Sequence, residues 1–252
     1  MRTAAFPFRA IPHALFSLFF PADCRICNTP LGRWTRVPVC ASCLAAPAPL
    51  EAEYFCSLCR TPFLNPHPLD QHGVCAACRS GLLGFDRATS FGFYEGHLRG
   101  LIHLFKYAGM RPLAHPLAQL LERALPVDEA YDVVVPVPLH WKKKWQRGFN
   151  QAELLARDLA KRRRLPLLKA LRRRKSTEAQ ATQSIAGRCR NVAGAFMAQP
   201  GVPLAGKRVL LIDDVMTTGA TASACAAALK RGGAKSVSLL TLARVDRRPG
   251  TN

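Results

Sequence analysis

Eight of the ten cysteines in this 252-residue chain form four Cys-x-x-Cys pairs, with 12, 12 and 15 residues between successive pairs. Two thiolates separated by two residues can hold one metal ion from a tight turn, and two such turns complete the tetrahedron that zinc accepts. The spacing therefore predicts two structural zinc sites of four thiolates each. The predicted ligands are Cys24, Cys27, Cys40, Cys43, Cys56, Cys59, Cys75 and Cys78.

The spacing leaves the grouping of the pairs open, since either sequential or interleaved pairing would complete two sites. Two alternative roles for the cysteines are weaker. A disulfide framework is typical of secreted proteins, and a redox Cys-x-x-Cys pair needs a thioredoxin-like βαβ context that the sequence lacks. Cys189 and Cys225 stand alone and are predicted to be small core residues.

A second chemical motif spans residues 209–221, where an apolar strand leads into two acids and then into a hydroxyl-rich turn that opens a helix. Free N–H groups at a helix start suit a phosphate, and a glycine lets the backbone approach it closely. Carboxylates at the end of a parallel strand can accept hydrogen bonds from sugar hydroxyls in the usual ligand crevice. The candidate binding residues are Asp213, Asp214, Thr217, Thr218, Gly219 and Thr221.

Two common nucleotide-binding motifs fit this segment less well. A Rossmann fingerprint would need G-x-G-x-x-G, and a Walker A loop would need Gly-Lys-Ser/Thr after the turn. An ordinary strand end with an aspartate helix cap would account for one acid, but not for the second acid and the run of hydroxyls.

The elements around this motif alternate between strand and helix patterns. Continuous apolar runs predict buried parallel strands, and apolar residues at three- and four-residue spacing predict helices between them. The predicted strands are 132–137, 208–212 and 236–242, with 91–94 as a further candidate; the predicted helices are 98–106, 112–125, 151–161 and 220–231. The predicted fold class is α/β, with a parallel sheet flanked by helices.

Composition divides the chain into three segments. Residues 24–80 are rich in cysteine and proline and predict a small loop-rich module, and residues 88–252 form the predicted α/β domain. Residues 1–23 contain an apolar stretch that is too short to span a bilayer, and we expect an amphipathic helix there. No other segment is apolar enough to cross a membrane, so the sequence predicts a cytoplasmic protein without membrane insertion.

The chain is strongly basic, with 36 Lys and Arg against 16 Asp and Glu and a formal net charge of +20. Such a surface attracts phosphates, either on a small ligand or on nucleic acid, and charge alone does not choose between them. The polar segment 172–190 interrupts the α/β pattern. A loop of that length in a compact domain is usually functional or disordered.

The run 209–221 resembles, along its whole length, the signature by which type I phosphoribosyltransferases bind 5-phosphoribosyl-1-pyrophosphate (PRPP). Further motifs resemble the ComF family of competence and GntX-like proteins. They are LFKYAG at 104–109, PVPL at 136–139, RGFNQ at 147–151, and Gln180 with Arg188, Asn191 and Phe196. The cysteine module fits as well, so the resemblance implies a type I phosphoribosyltransferase fold preceded by a double zinc ribbon.

The resemblance also implies a role for each part of the site. The two acids would hold the ribose hydroxyls, and the turn from Thr217 to Thr221 would cradle the 5-phosphate. The loop from Leu139 to Arg147 would hold the pyrophosphate, with Arg147 stabilising the leaving group. Residues 172–188 would form a mobile lid that excludes water, and Mg²⁺ would accompany PRPP.

Two functions remain open on the sequence. The chain is either an enzyme that transfers a ribose 5-phosphate to an unknown acceptor, or a non-catalytic PRPP-binding factor of DNA uptake or utilisation. The second function would bring single-stranded DNA and other DNA-uptake proteins as partners. Trp141, Trp145 and Phe149 lie around Lys142–Lys144. Such interleaving of aromatic and basic residues is a feature of single-strand binders.

Overall fold

The computed structural model describes residues 22–32, 35–81, 83–174 and 194–246, with the backbone alone at 22 and 142–144. Most of the predicted N-terminal helix therefore lies outside the described residues, and its last two residues form a strand, β1 (Ala22–Asp23). Cys189 and the motif residues Gln180, Arg188 and Asn191 also lie outside them.

The cysteine module consists of two similar units. In the first unit β1 pairs with β2 (Pro30–Leu31) and is followed by α1 (Ala41–Ala45). In the second unit β3 (Tyr54–Phe55) pairs with β4 (Pro62–Phe63) and is followed by α2 (Ala76–Arg79). Each unit is thus a short hairpin followed by one or two turns of helix.

The remaining strands and helices build the α/β domain. Its strands are β5 (Arg87–Phe93), β6 (Val133–Pro136), β7 (Leu171–Arg173), β8 (Phe196–Ala198), β9 (Arg208–Met216) and β10 (Ser236–Arg244). Its helices are α3 (Gly96–Tyr107), α4 (Ala114–Ala124, after a 3-10 turn at Arg111–Leu113), α5 (Trp141–Arg147), α6 (Gln151–Arg163) and α7 (Ala220–Arg231).

The central sheet has the strand order β5-β10-β9-β6, and its neighbouring strands are parallel. Helices cover both faces, which explains why both sides of β6 and β9 are apolar. Val135 and Leu211 pack with α7 in one core, and Val134 and Ile212 pack with α3, α4 and α6 in the other. The predicted α/β class with a parallel sheet is confirmed, and α7 has the bounds that the sequence predicted.

The cysteine module covers the edge of the sheet at β5. The backbone N–H of Ala88 in β5 donates to Leu58 O at 2.9 Å, and the carbonyl of Phe91 accepts from the N–H of Leu50. These bonds satisfy the outer groups of an edge strand that would otherwise invite pairing with another chain. Among the described residues, no helix has the length and apolar character needed to cross a membrane.

Candidate ligand site and cysteine clusters

The candidate site begins where β9 extends beyond the end of its neighbour β6. Pro136, the last residue of β6, pairs with Ile212, and β9 continues for four residues beyond it. The sequence placed the end of this strand before Asp213, whereas the strand includes both acids and ends at Met216. Because β6 ends first, the last residues of β9 extend past it at the carboxyl edge of the sheet, where α/β proteins usually bind ligands.

The two acids lie on opposite faces of β9, because successive side chains of a strand alternate. Asp213 shares the face of Leu211 and lies beneath α7. The burial of Cys225, followed by the negative charge of Asp213, raises the pKa of the Cys225 thiol. Asp214 shares the face of Ile212 and forms an ion pair of 2.7 Å with Lys106 on α3. The two carboxylates therefore have different surroundings.

The environment of Asp213 favours its neutral form. Burial, followed by the negative charge of Asp214, raises the pKa of Asp213 to about 7. The backbone N–H of Asp214, the ammonium of Lys106 and the guanidinium of Arg173 act in the opposite direction. A carboxyl group that titrates near neutral pH beside a paired carboxylate is a feature of many ligand sites.

The turn after β9 has the geometry that a phosphate cradle requires. Gly219 has φ +77°, and a Cβ there would lie 3.0 Å from Met216 Cε. This left-handed conformation favours glycine. Thr218 is buried, and its hydroxyl oxygen accepts from the N–H of Ala220 at 3.3 Å. Thr217 is exposed, and Thr221 lies half-buried in the first turn of α7. The structure therefore brings all the predicted phosphate-binding residues to one helix start.

The predicted pyrophosphate loop contains a helix, α5, rather than an irregular loop throughout. Leu139 lies half-buried just before it, and Arg147 ends it. The Arg147 guanidinium lies 5.1 Å from the ring centre of Tyr107 and donates to Gln151 Oε1 at 3.2 Å. Since Tyr107 follows Lys106, these contacts hold Arg147 near the end of α3 that also carries the lysine paired with Asp214.

The predicted lid, residues 172–188, starts inside a strand. Arg172 and Arg173 belong to β7, which pairs antiparallel with β8, so the loop character expected for them is wrong. Arg173 packs its guanidinium 5.3 Å from the Phe196 ring centre, and burial lowers its pKa. The rest of the lid lies outside the described residues.

Each cysteine cluster groups sequential pairs. The first contains Cys24, Cys27, Cys40 and Cys43, the second contains Cys56, Cys59, Cys75 and Cys78, and the four sulfur atoms of each lie within 4.8 Å of one another. Sulfur–sulfur distances of 3.7 Å occur in both clusters. A tetrahedron with metal–sulfur bonds of about 2.3 Å has edges of about 3.8 Å, so both clusters could hold a metal ion.

The two clusters repeat the same local contacts. The N–H of Cys40 donates to Cys24 Sγ at 3.3 Å, and the N–H of Cys75 donates to Cys56 Sγ at 3.4 Å. Such bonds stabilise thiolates. The hydrogen bond with Ser42 is the main reason why the pKa of Cys40 falls to about 6, whereas burial raises the pKa of Cys43 in the same cluster. Thiolates are the form that binds metal.

Sequence reasoning assigned no role to two residues at this site, Lys106 and Tyr107, which lie in the motif at 104–109. It placed Arg173 in the predicted lid, whereas the structure places it in β7, where its charge lowers the pKa of Asp213. Lys106 directly follows Phe105, the last fully buried residue of the apolar face of α3. A charged residue at the end of an apolar helix face was the feature of the sequence that could have pointed to Lys106. Its partner is 108 positions further along the chain, so only the fold shows the contact.

Comparisons with known proteins agree with this architecture. The model of the phosphoribosyl transferase domain matches residues 120–251. The DNA utilization protein YhgH of Escherichia coli K12 is 33% identical over 158 residues, which cover 60% of this chain and 69% of that protein.

Two competence proteins also match. Competence protein F of Haemophilus influenzae is 33% identical over 170 residues, which cover 63% of this chain and 73% of that protein. Competence protein ComFC of Bacillus subtilis is 36% identical over 113 residues, which cover 44% of each chain. With a phosphoribosyl transferase domain and two four-cysteine clusters that fit a double zinc ribbon, the chain belongs to the ComF family of phosphoribosyltransferase-fold proteins.

Proposed function

We propose that this protein binds PRPP with Mg²⁺ at the carboxyl edge of its sheet and transfers the ribose 5-phosphate to an acceptor. The observation that carries the proposal is the segment from β9 to α7. It joins two adjacent acids to a left-handed glycine and to a helix whose first turn contains no acidic residue. Such a helix start attracts an anion, and the acids can accept hydrogen bonds from a sugar.

In this proposal, the phosphate, the ribose and the pyrophosphate of PRPP are each bound by a different group of residues. The turn from Thr217 to Thr221 holds the 5-phosphate, and Asp213 and Asp214 accept hydrogen bonds from the ribose hydroxyls. The segment from Leu139 to Arg147 holds the pyrophosphate, with the Arg147 guanidinium close to it. Mg²⁺ bound with PRPP would offset the negative charge of the pyrophosphate.

The proposed reaction is a displacement at C1 of the ribose. A nucleophilic atom of the acceptor forms a bond to C1 as the bond from C1 to the pyrophosphate oxygen breaks, and the pyrophosphate leaves with the electron pair. A nitrogen nucleophile that carries a hydrogen loses that proton to solvent. Because positive charge develops on the sugar and negative charge on the leaving group, an arginine beside the pyrophosphate stabilises the transition state.

The organisation of the chain completes the proposal. We infer a cysteine module over residues 24–80, in which each cluster holds one zinc ion, and a phosphoribosyltransferase domain over residues 88–252. Four thiolates fill the coordination shell of zinc, so both ions would be structural. The sulfur–sulfur distances of 3.7 Å and the N–H donors to Cys24 and Cys56 support this assignment.

Calorimetric titration with PRPP in the presence of MgCl₂ tests the proposal. We expect binding by the wild-type protein and at least a fifty-fold loss in the double variant Asp213→Asn, Asp214→Asn. The matched control is Asp128→Asn, which removes an exposed acid away from the site and should leave affinity within two-fold. Wild-type affinity in the double variant would contradict the assigned ribose contacts.

A second candidate function is the binding of single-stranded DNA, and the surface of α5 favours it. Trp141 and Trp145 are 68% and 85% exposed. They lie four residues apart, and therefore on the same side of the helix. Exposed aromatic rings in a basic chain can stack on successive bases, and this function fits the names of the DNA utilization and competence relatives. Fluorescence anisotropy that shows no preference for single-stranded over double-stranded DNA would exclude it.

A further inference from the structure

The second cysteine has matching neighbours in the two clusters. Its sulfur lies close to the hydroxyl oxygen of a threonine two residues later, at 3.2 Å for Cys27 and at 2.9 Å for Cys59. It also lies 3.7 Å from the sulfur of the third cysteine, which is Cys40 in the first cluster and Cys75 in the second. These contacts therefore do not distinguish the two pairs of sulfur atoms.

Access from solvent does distinguish them. Cys27 is exposed and Cys40 is half-buried, whereas Cys59 and Cys75 are only 1% and 5% exposed. Cys59 and Cys75 line a cavity of about 380 Å³ beside the start of α7, but almost none of their surface is open to it. A reagent in solvent can therefore reach the second cysteine of the first cluster far more easily than that of the second cluster.

The α/β domain accounts for this difference in access. Arg244 is buried at the end of β10, and its guanidinium donates to Cys59 O at 2.8 Å, which fixes the turn that carries Cys59 against the sheet. In the first cluster the contact with the domain is made by Ile26, which packs against Gly100 of α3. The next residue, Cys27, remains exposed.

Exposed thiolates are the ones that oxidise first, because the susceptibility of a cysteine follows its thiolate character and its exposure. Metal-bound cysteines are thiolates in both clusters, so exposure decides between them. We propose that, among the eight cluster cysteines, Cys27 is a site of reversible oxidation by hydroperoxides, with Cys40 as its disulfide partner. This inference rests on the proposed function only where that assigns one zinc ion to each cluster.

The oxidation takes place in two steps. The Cys27 thiolate attacks one oxygen of the hydroperoxide, so that an S–O bond forms while the O–O bond breaks and hydroxide or alkoxide leaves. The Cys40 thiolate then attacks Cys27 Sγ, so that an S–S bond forms while the S–O bond breaks and a second hydroxide leaves. Both leaving groups take protons from solvent, and the two electrons that the thiolates lose reduce the peroxide. The two remaining thiolates no longer complete a four-ligand site, so the cluster releases its zinc ion.

Zinc release by hydrogen peroxide tests the proposal on the full-length protein. Metal analysis first establishes two zinc ions per chain, a chromogenic chelator then follows their release, and peptide mass spectrometry locates the disulfide. The matched variants are Cys27→His and Cys59→His. Histidine is also a zinc ligand, so each variant keeps four ligands in each cluster and loses one oxidisable thiolate.

We expect the wild-type protein to release one zinc ion per chain at least ten-fold faster than the other, with a disulfide between Cys27 and Cys40. Cys59→His should keep this fast release, and Cys27→His should lose it. Reduction with dithiothreitol and added zinc should restore two ions. Release of both ions at one rate, a first disulfide between Cys59 and Cys75, no release, or unchanged fast release in Cys27→His would each overturn the proposal.

This proposal and the proposed function fail in different ways. If the wild-type protein binds no zinc, the zinc assignment of the proposed function fails, and the oxidation site fails with it. If two ions are bound and peroxide releases them equally, only the oxidation site is overturned. Where a histidine variant does not retain two ions, the wild-type release rates and the position of the disulfide decide alone. PRPP binding is measured separately by calorimetry and enters none of these outcomes.

Discussion

The two cysteine clusters share one local design, yet they are buried to different extents. Each begins with a cysteine of zero exposure, Cys24 or Cys56, and each has a residue with positive φ four positions later, Asn28 or Arg60. In the first cluster one cysteine, Cys27, is exposed, whereas every cysteine of the second cluster is at least half-buried. The same structural unit is therefore used in two different environments.

The clusters also serve opposite faces of the central sheet. The first packs with the core under α3, α4 and α6, and the second packs with the core under α7. The second cluster adjoins the candidate site directly, because Cys59, Cys75 and the segment from Met216 to Thr218 line the same cavity. Arg244, at the end of β10, also donates from its guanidinium to Cys59 O at 2.8 Å. The first packs against α3, the helix that carries Lys106. We propose that the repeated cysteine unit is structural in the first copy and also shapes the candidate ligand site in the second.

Removing one ligand from each cluster should separate these roles most strongly. We expect Cys24→Ser and Cys56→Ser each to lose about one of the two metal ions. Cys24 and Cys56 are both fully buried, but the first cluster has the exposed Cys27 whereas the other cysteines of the second are at least half-buried. The second variant should therefore lose about 2 kcal/mol more stability, roughly 4–8 °C in Tm. PRPP affinity should fall at least ten-fold in Cys56→Ser and less than three-fold in Cys24→Ser.

Metal analysis, thermal unfolding followed by circular dichroism, and PRPP calorimetry measure these three effects. Equal losses of stability and affinity in the two variants would contradict the proposed difference between the clusters. Larger losses in Cys24→Ser than in Cys56→Ser would contradict it as well.

Lys106→Met should have the next largest effect, because it removes the cation that lies 2.7 Å from Asp214. The pKa of Asp213 is about 7, raised chiefly by burial and then by Asp214, and Lys106 lowers it. Without the lysine this pKa should rise further. We propose that the ionised acids accept hydrogen bonds from the ribose hydroxyls, so PRPP affinity should increase as pH rises through the pKa of Asp213, and the increase should shift to higher pH in the variant.

Calorimetry between pH 6 and pH 9 measures this shift. We expect at least a ten-fold loss of affinity at pH 7 for Lys106→Met. Lys161→Met removes an exposed lysine from α6 and should leave the profile unchanged. An unshifted profile in Lys106→Met would mean that the ion pair is structural only.

Local features of this site could be predicted from the sequence, and long-range contacts could not. The strand leading to Asp213, the bounds of α7 and the eight cysteines follow from local patterns. The grouping of the cysteines, the ion pair of Lys106 with Asp214 and the cavity depend on segments far apart in the chain. The helix Trp141–Arg147 was missed because it is only seven residues long, and one pair of tryptophans four residues apart is too little to establish a helical period.

The smallest effect should come from Ile26→Ala, which tests the indirect route from the first cluster to the site. Ile26 packs against α3 at Gly100, where a Cβ would lie 2.8 Å from Ile26 Cδ1. The side chain is only half-buried, so its truncation should loosen α3 at a cost of about 1 kcal/mol. Because Lys106 lies on the same helix, the pH profile of PRPP affinity should shift in the same direction as in Lys106→Met, with less than three-fold loss of affinity.

The matched control is Leu58→Ala, at the equivalent position of the second unit. Leu58 is 37% exposed, and this substitution should leave the pH profile unshifted. An unchanged pH profile in Ile26→Ala would mean that the first cluster stabilises α3 without influencing the acids. The two clusters would then differ in whether they affect the candidate site at all, and not only in their distance from it.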